Sequence, residues 1–211
     1  MTYAVKELFA TLQGEGARAG RAAVFCRFTG CNLWSGREED RDGATCRFCD
    51  TDFVGLDGPG GGRFATSDTL ASAIEAAWRG GVDGRYVVFT GGEPLLQLDA
   101  ALIEAMHARG FEAAVETNGT LDPPPGLDWV TVSPKAGAPW RLHSGSELKL
   151  VYPQGGLEPD ALPQGLRFAH RWLQPMDGPD RAANTAAAVA YCLAHPVWRL
   201  SIQTHKLIGI P

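Results

Sequence analysis

Three of the five cysteines in this 211-residue chain fall between Cys31 and Cys49, with fourteen residues separating Cys31 from Cys46 and two more before Cys49. Three thiolates so placed can hold a metal centre and leave one coordination position for another ligand. Spacing alone leaves two readings open. Cys46-Arg47-Phe48-Cys49 has the form of half a zinc site. A structural zinc normally takes four protein ligands, however, and Cys26, Cys192 and the five histidines all lie at unfamiliar spacing. Iron-sulfur clusters are commonly held by thiolates, and three of them leave a four-iron cube with one iron free to bind the amine and carboxylate of an amino acid.

Other polar groups collect in short motifs. Thr90-Gly91-Gly92-Glu93-Pro94 reads either as a tight turn, with glycines at positive φ and proline opening a helix, or as a site where bare backbone can approach a bound ammonium. Gln13-Gly14-Glu15 reads either as an exposed polar turn between strands or as an amide and a carboxylate that form paired hydrogen bonds with a ligand. Thr51, after Cys49 and Asp50, is a loop hydroxyl or one oxygen ligand of a partly hydrated magnesium ion. Arg27 sits on an apolar strand and must meet a structural carboxylate or an anionic ligand. Ser133-Pro134-Lys135 and Gln174-Pro175-Met176-Asp177 each close a strand.

The elements that must position these groups can be read from periodicity. Strands are expected at Val5–Leu12, Ala22–Thr29, Tyr86–Phe89, Glu112–Thr117, Trp129–Ser133, Leu148–Val151, Arg167–Leu173 and Trp198–Gln203. Phe25, Arg27 and Thr29 then share one face. A helix capped by Ser67 or Asp68 turns Leu70, Ala73, Ile74, Ala77 and Trp78 inward and closes at Gly80-Gly81. A second spans Leu98–Arg109, with Leu102, Ile103 and Met106 inward, and a third Asp180–Ala194, with Val189 and Leu193 inward. Gly55–Gly62 reads as a loop, and the residues after Gln203 as a fraying terminus. Leu121–Asp128 is too short and too rich in proline for a crossover helix. The pattern predicts an α/β fold, a partial, shortened TIM-like barrel with about six core parallel strands and three helices. In such folds reactive groups gather at strand ends.

Length and 45% hydrophobic content suit one core, so residues 1–211 are read as a single domain. The net charge of -5, with no run of Lys and Arg interleaved with aromatics, argues against nucleic acid. Apolar stretches stop short of membrane-spanning length and no segment resembles a signal peptide, so a cytoplasmic protein is expected. An odd number of cysteines, three of them clustered, favours metal or redox use in a reducing compartment.

With Phe48 as the aromatic before the last cysteine, the chain resembles the radical S-adenosylmethionine superfamily, whose usual signature spaces its cysteines by three residues and then two. Here Asn32–Thr45 lengthens the first gap into a charged excursion carrying Glu38, Glu39, Asp40, Arg41 and Asp42. VKELFATLQGEG, FCRFTGCNL, CRFCDTDF, VVFTGGEPLLQ, VETNG, SPK, LKLVY, LQPMD and IQTHKLIGIP together resemble the 7-carboxy-7-deazaguanine synthases of queuosine and deazapurine biosynthesis, nearly from end to end.

The resemblance implies a [4Fe-4S] cluster on Cys31, Cys46 and Cys49. It implies S-adenosylmethionine at Phe48, Cys49, Asp50, Gly92, Glu93, Ser133, Pro134, Lys135, Gln174, Pro175, Met176 and Asp177, with Glu116 and Asn118 as further candidates. Magnesium falls to Thr51, and a pterin substrate to Leu12, Gln13, Gly14, Glu15, Arg27, Thr90, His205 and the terminal carboxylate of Pro211. The implied reaction splits S-adenosylmethionine to a 5'-deoxyadenosyl radical, which takes hydrogen from C6 of 6-carboxy-5,6,7,8-tetrahydropterin. Ring contraction and loss of ammonia follow, the hydrogen is returned, and no side chain is assigned as catalytic because the cofactor supplies the radical chemistry. The shortened sheet leaves edges that a homodimer would cover, and an external electron donor such as flavodoxin is the other expected partner. Two other functions compete: an activase that makes a glycyl radical on a partner protein, which needs a site open to polypeptide, and a non-enzymatic zinc module, which would be colourless and carry stoichiometric zinc.

Overall fold

A computed structural model of the chain describes residues 2–211. Nine strands form one sheet: β1 (Tyr3–Leu12), β2 (Ala22–Phe28), β3 (Gly62–Phe64), β4 (Tyr86–Gly91), β5 (Glu112–Thr117), β6 (Trp129–Val132), β7 (Ser144–Tyr152), β8 (Arg167–Pro175) and β9 (Arg199–Leu200). Their order across the sheet is β3-β1-β2-β4-β5-β6-β7-β8-β9. From β2 through β4 to β9 every neighbouring pair is parallel, and β1 joins antiparallel to β2 and β3. The six parallel strands expected are β2 and β4 to β8. The sheet is an open, partial TIM-like barrel.

Alternation along the strands separates core from site. Val24, Cys26 and Phe28 of β2, Val87 and Phe89 of β4, and Ala113 and Val115 of β5 face the helices α1 (Ser67–Ala77) and α2 (Ala100–His107). Leu70, Ile74, Leu102, Ile103 and Met106 cover them and are fully buried or nearly so. Each such side chain contributes about 2 kcal/mol of burial free energy. The residues between them, Phe25, Arg27 and Thr90 among others, therefore point into the barrel. A second cluster, built on Leu148, Leu150, Leu173 and Trp198, packs under α3 (Arg181–Ala194).

Several local expectations are corrected. Thr66, not Ser67 or Asp68, caps α1: its hydroxyl accepts from Thr69 N at 3.1 Å while Thr69 Oγ1 accepts from Thr66 N, a reciprocal capping box. Asp99 caps α2 and also accepts from Tyr3 Oη at 2.7 Å, which ties the helix to β1. On α3, Val189 and Leu193 are exposed. Ala188 supplies the buried contact there, with Tyr191 and Cys192 packed beside it. Gly55–Gly61 is loop as expected, but Gly62 opens an unforeseen short strand, β3, paired through Tyr3↔Phe64. The last strand shrinks to Arg199–Leu200, and the chain then turns into a short helix, α4 (Thr204–Ile208).

Candidate active site

Because the parallel strands point the same way, their C-terminal tips converge on one mouth, and there a cavity of about 410 Å³ opens. Cys31, Cys46 and Cys49 all line it. The fourteen-residue gap is closed at its neck: the Leu33 carbonyl accepts from Thr45 N at 3.1 Å and from Cys46 N at 3.3 Å. Residues 34–44 are thereby looped out, and Cys46 returns beside Cys31. Asn32 fastens the neck to the tip of β5, accepting from Asn118 Nδ2 at 2.9 Å and donating to Thr120 Oγ1 at 2.8 Å.

The turn after β4 is fitted against this neck. A Cβ on Gly92 would lie 2.3 Å from the Gly30 carbonyl oxygen and 2.6 Å from the Cβ of Cys31. Glycine is required there by close approach rather than by φ. Glu93 N donates to the same Gly30 oxygen at 2.9 Å, locking the turn to the cysteine.

The thiols are chemically unequal. The neighbouring Cys46 thiol pulls Cys49 down to about 6, close to the thiolate state that ligates metals. Burial pushes Cys31 up. Among the described residues no three His, Cys, Asp or Glu side chains converge on a single ion site. The three cysteines border one shared cavity, the arrangement that three thiolates holding a single cluster require.

Around that space, Phe48, Asp50 and Thr51 follow the cysteines, and Ser133 and Lys135 come from the end of β6. Gln174, Pro175, Met176 and Asp177 come from the end of β8. Lys135 Nζ donates to Ser133 Oγ at 2.8 Å, and burial lowers its pKa. Thr51 Oγ1 and the Asp50 carboxylate give the mouth a pair of hard oxygen donors of the kind magnesium accepts.

Deeper in the barrel lies a buried charged network. Lys149 Nζ donates to Glu15 Oε2 and, at 3.4 Å, to Glu116 Oε2. Burial alone would lower the pKa of Lys149, but Glu116 and Glu15 outweigh it and hold the ammonium above its usual range. Burial likewise opposes the charge on Glu15, yet Lys149 brings that carboxyl down to about 2. Gln13 Nε2 donates to Glu116 Oε1 at 2.9 Å, and Gln203 Nε2 to Glu15 Oε1 at 3.0 Å. Arg27 spends its Nε on Glu7 at 2.7 Å, and the hydrogen bonds among the described residues leave both Nη groups unpaired beside the cavity.

The C-terminus lies across one side. Thr204 donates from N at 3.0 Å and from Oγ1 at 2.9 Å to the Gly14 carbonyl, and Lys206 bridges Asp50 and Asp177. His205 and Pro211 line the cavity.

Comparison with known proteins bears directly on this arrangement. The Radical SAM superfamily model matches residues 43–140. The chain is 67% identical over 211 residues to a 7-carboxy-7-deazaguanine synthase of Bordetella pertussis, covering 100% of both chains. The chain belongs to the 7-carboxy-7-deazaguanine synthase family. The corresponding protein of Caulobacter vibrioides is 66% identical over the same full length. The crystal structure of QueE from Escherichia coli superposes with a TM-score of 0.69 at 27% identity, covering 96% of this chain and 94% of that one. The protein is thus a radical S-adenosylmethionine enzyme, and the family's [4Fe-4S] cluster and S-adenosylmethionine match the three-thiol, one-mouth layout.

Among these synthase residues, Leu12, Gln13, Gly14, Glu15, Arg27 and Thr90 reach the cavity with Gly92, Glu116 and Asn118, as expected. Glu93 does not. Its carboxylate is fully buried and accepts from Leu95 N at 2.9 Å, Thr117 Oγ1 at 2.8 Å and Asn118 N at 2.8 Å, so it braces the turn instead of facing the expected ammonium. Pro134 also stays out of the lining, buried between Ser133 and Lys135. Sequence reasoning overlooked Lys149, Gln203 and Lys206. Lys149 carried a usable signal, a cation flanked by leucines on a strand.

Proposed function

We propose that this chain converts 6-carboxy-5,6,7,8-tetrahydropterin to 7-carboxy-7-deazaguanine with loss of ammonia, the activity for which its relatives are named. The observation that carries this reading is the pairing, in one cavity, of three cysteines with two carboxylates, Glu15 and Glu116, that both reach the buried Lys149. A ligand with adjacent ring N–H and amine donors matches Glu15, Glu116 and Gln13, and its carboxylate matches the open Nη groups of Arg27.

Cys31, Cys46 and Cys49 would hold the [4Fe-4S] cluster, which supplies the one-electron chemistry for cleaving S-adenosylmethionine. Phe48 and Met176 offer apolar walls for an adenosine, and Lys135 with Ser133 offers donors for its polar side. Gly92 supplies bare backbone beside Cys31 for an amino acid moiety. Thr51, with Asp50 near it, would take a magnesium ion and bring it to the substrate carboxylate. Thr90 at the tip of β4, and His205 with Pro211 on the terminal strap, complete the substrate side. The strap and the buried walls keep water from the reacting atoms, and rigid placement is the chain's main contribution.

Residues 1–211 act as one domain, with 32–45 as an excursion of the cluster loop. Among the described residues no helix is long and apolar enough to cross a membrane, and a cytoplasmic setting with a flavodoxin-like donor fits the reducing chemistry. A homodimer would cover the sheet edges at β3 and β9 and the exposed Ile202, Leu207 and Ile208. Anaerobic incubation with the carboxylated tetrahydropterin, S-adenosylmethionine, dithionite and magnesium tests the activity. The expected product is 7-carboxy-7-deazaguanine. Unchanged pterin with a fully loaded cluster would refute the assignment.

A further inference from the structure

The looped-out segment between the first two cluster cysteines is built around one guanidinium. Arg41 Nε donates to Glu38 Oε2 at 2.7 Å, and its Nη2 meets the other oxygen of the same carboxylate. From the far edge of the fork, Nη1 donates to the Arg47 carbonyl at 2.8 Å and to the Cys49 carbonyl at 3.2 Å. The guanidinium carbon lies 4.1 Å from the ring centroid of Trp34, whose own indole is buried edge-on against Phe53 at 5.6 Å. Trp34 Nε1 donates to the Arg37 carbonyl at 3.1 Å, and Ser35 Oγ donates to Asp40 at 2.6 Å. A merely solvated excursion would not direct a cation back to the carbonyls of the turn that carries Cys46 and Cys49.

We infer that Arg41 is a positioning residue for the cluster: it clamps the Cys46–Cys49 turn through two carbonyls and places a fixed positive charge beside the metal site. The inference rests on the assignment of Cys31, Cys46 and Cys49 to a cluster. Two effects follow from two features of the group. The planar fork is needed to reach Glu38 and both carbonyls together, which lysine cannot do. The charge favours the more negative, reduced cluster, and any cation there provides it. Glu38 and Trp34 hold the group in place from opposite sides.

The test uses full-length protein reconstituted with iron and sulfide, as wild type, Arg41→Gln and Arg41→Lys. Iron release to an excess chelator should be roughly fivefold faster in both variants, the order expected for losing hydrogen bonds from a charged donor. The midpoint potential should fall in Arg41→Gln and stay at the wild-type value in Arg41→Lys. In metal-free protein, trypsin should cut after Arg37 and Arg47 faster in both variants, while thermal unfolding of the rest of the chain is unchanged. Wild-type release rates and an unshifted potential in a folded Arg41→Gln protein would overturn the clamp. A wild-type protein that takes up no iron would overturn the cluster assignment together with it.

Discussion

Gly14 and His205 touch so closely that a Cβ on Gly14 would lie 2.0 Å from His205 Nδ1. The first interior turn and the last helix are therefore fitted to one another across nearly the whole sequence, and the Gly14 carbonyl receives both donors of Thr204 as well. Gly14→Ala should push α4 outward without disturbing the distant core. The expected result is a loss of roughly tenfold to a hundredfold in kcat/KM, as for a misplacement of about 1 Å, with little change in Tm. Steady-state kinetics beside a thermal melt separates the two effects.

Removing Lys149 strands two carboxylates. Lys149→Met should cost about 3–5 kcal/mol at pH 7, the range for breaking a buried ion pair from one side. The pH dependence follows from the direction of the Glu15 shift. Its folded pKa of about 2 lies below its ordinary value of 4.5, so its contribution is present above pH 4.5 and is lost as pH falls toward 2. In Lys149→Met burial acts on the Glu15 carboxyl without the opposing ammonium, so this group takes up a proton more readily and the deficit should shrink as pH falls. Urea denaturation of both proteins at pH 7 and pH 5 measures this. A deficit that grows on acidification would contradict the network.

Much of the layout is legible in the order of the residues, and the exceptions share a cause. Strands with alternating apolar residues and helices with regular inward spacing, such as Leu102, Ile103 and Met106, announce themselves locally. β3 is hidden because three residues after a run of glycines acquire strand geometry only by pairing with Tyr3–Val5. Val189 and Leu193 have helical spacing, yet they face solvent because the small Ala188 side makes the contact with β8 and β9. Lys149 is flanked by leucines on a strand, but its partners Glu15 and Glu116 come from two distant segments and only the fold brings them to it. Glu93 looks like a ligand group because its three donors include Thr117 and Asn118, which only the fold brings near.

Gly92→Ala should act on the metal site rather than on the barrel. The added methyl meets the Gly30 carbonyl and the Cys31 Cβ, so either the turn after β4 or Cys31 must move. Iron bound after reconstitution should fall well below wild type, with the far-UV circular dichroism unchanged.

Thr51→Val keeps the shape of the side chain and removes its oxygen. If Thr51 contributes to a magnesium site, the variant should lose most of the stimulation that added magnesium gives, while cluster content stays at the wild-type level. A magnesium titration of the initial rate distinguishes the two proteins. A full wild-type response would remove Thr51 from the metal's ligands.

The most direct test of the whole account is the electron paramagnetic resonance spectrum of the dithionite-reduced, reconstituted protein, recorded with and without S-adenosylmethionine. Cys31, Cys46 and Cys49 provide three thiolates for four irons, so the nucleoside should bind the remaining iron and shift the signal. A spectrum that stays the same at saturating S-adenosylmethionine would mean that no iron is open to it.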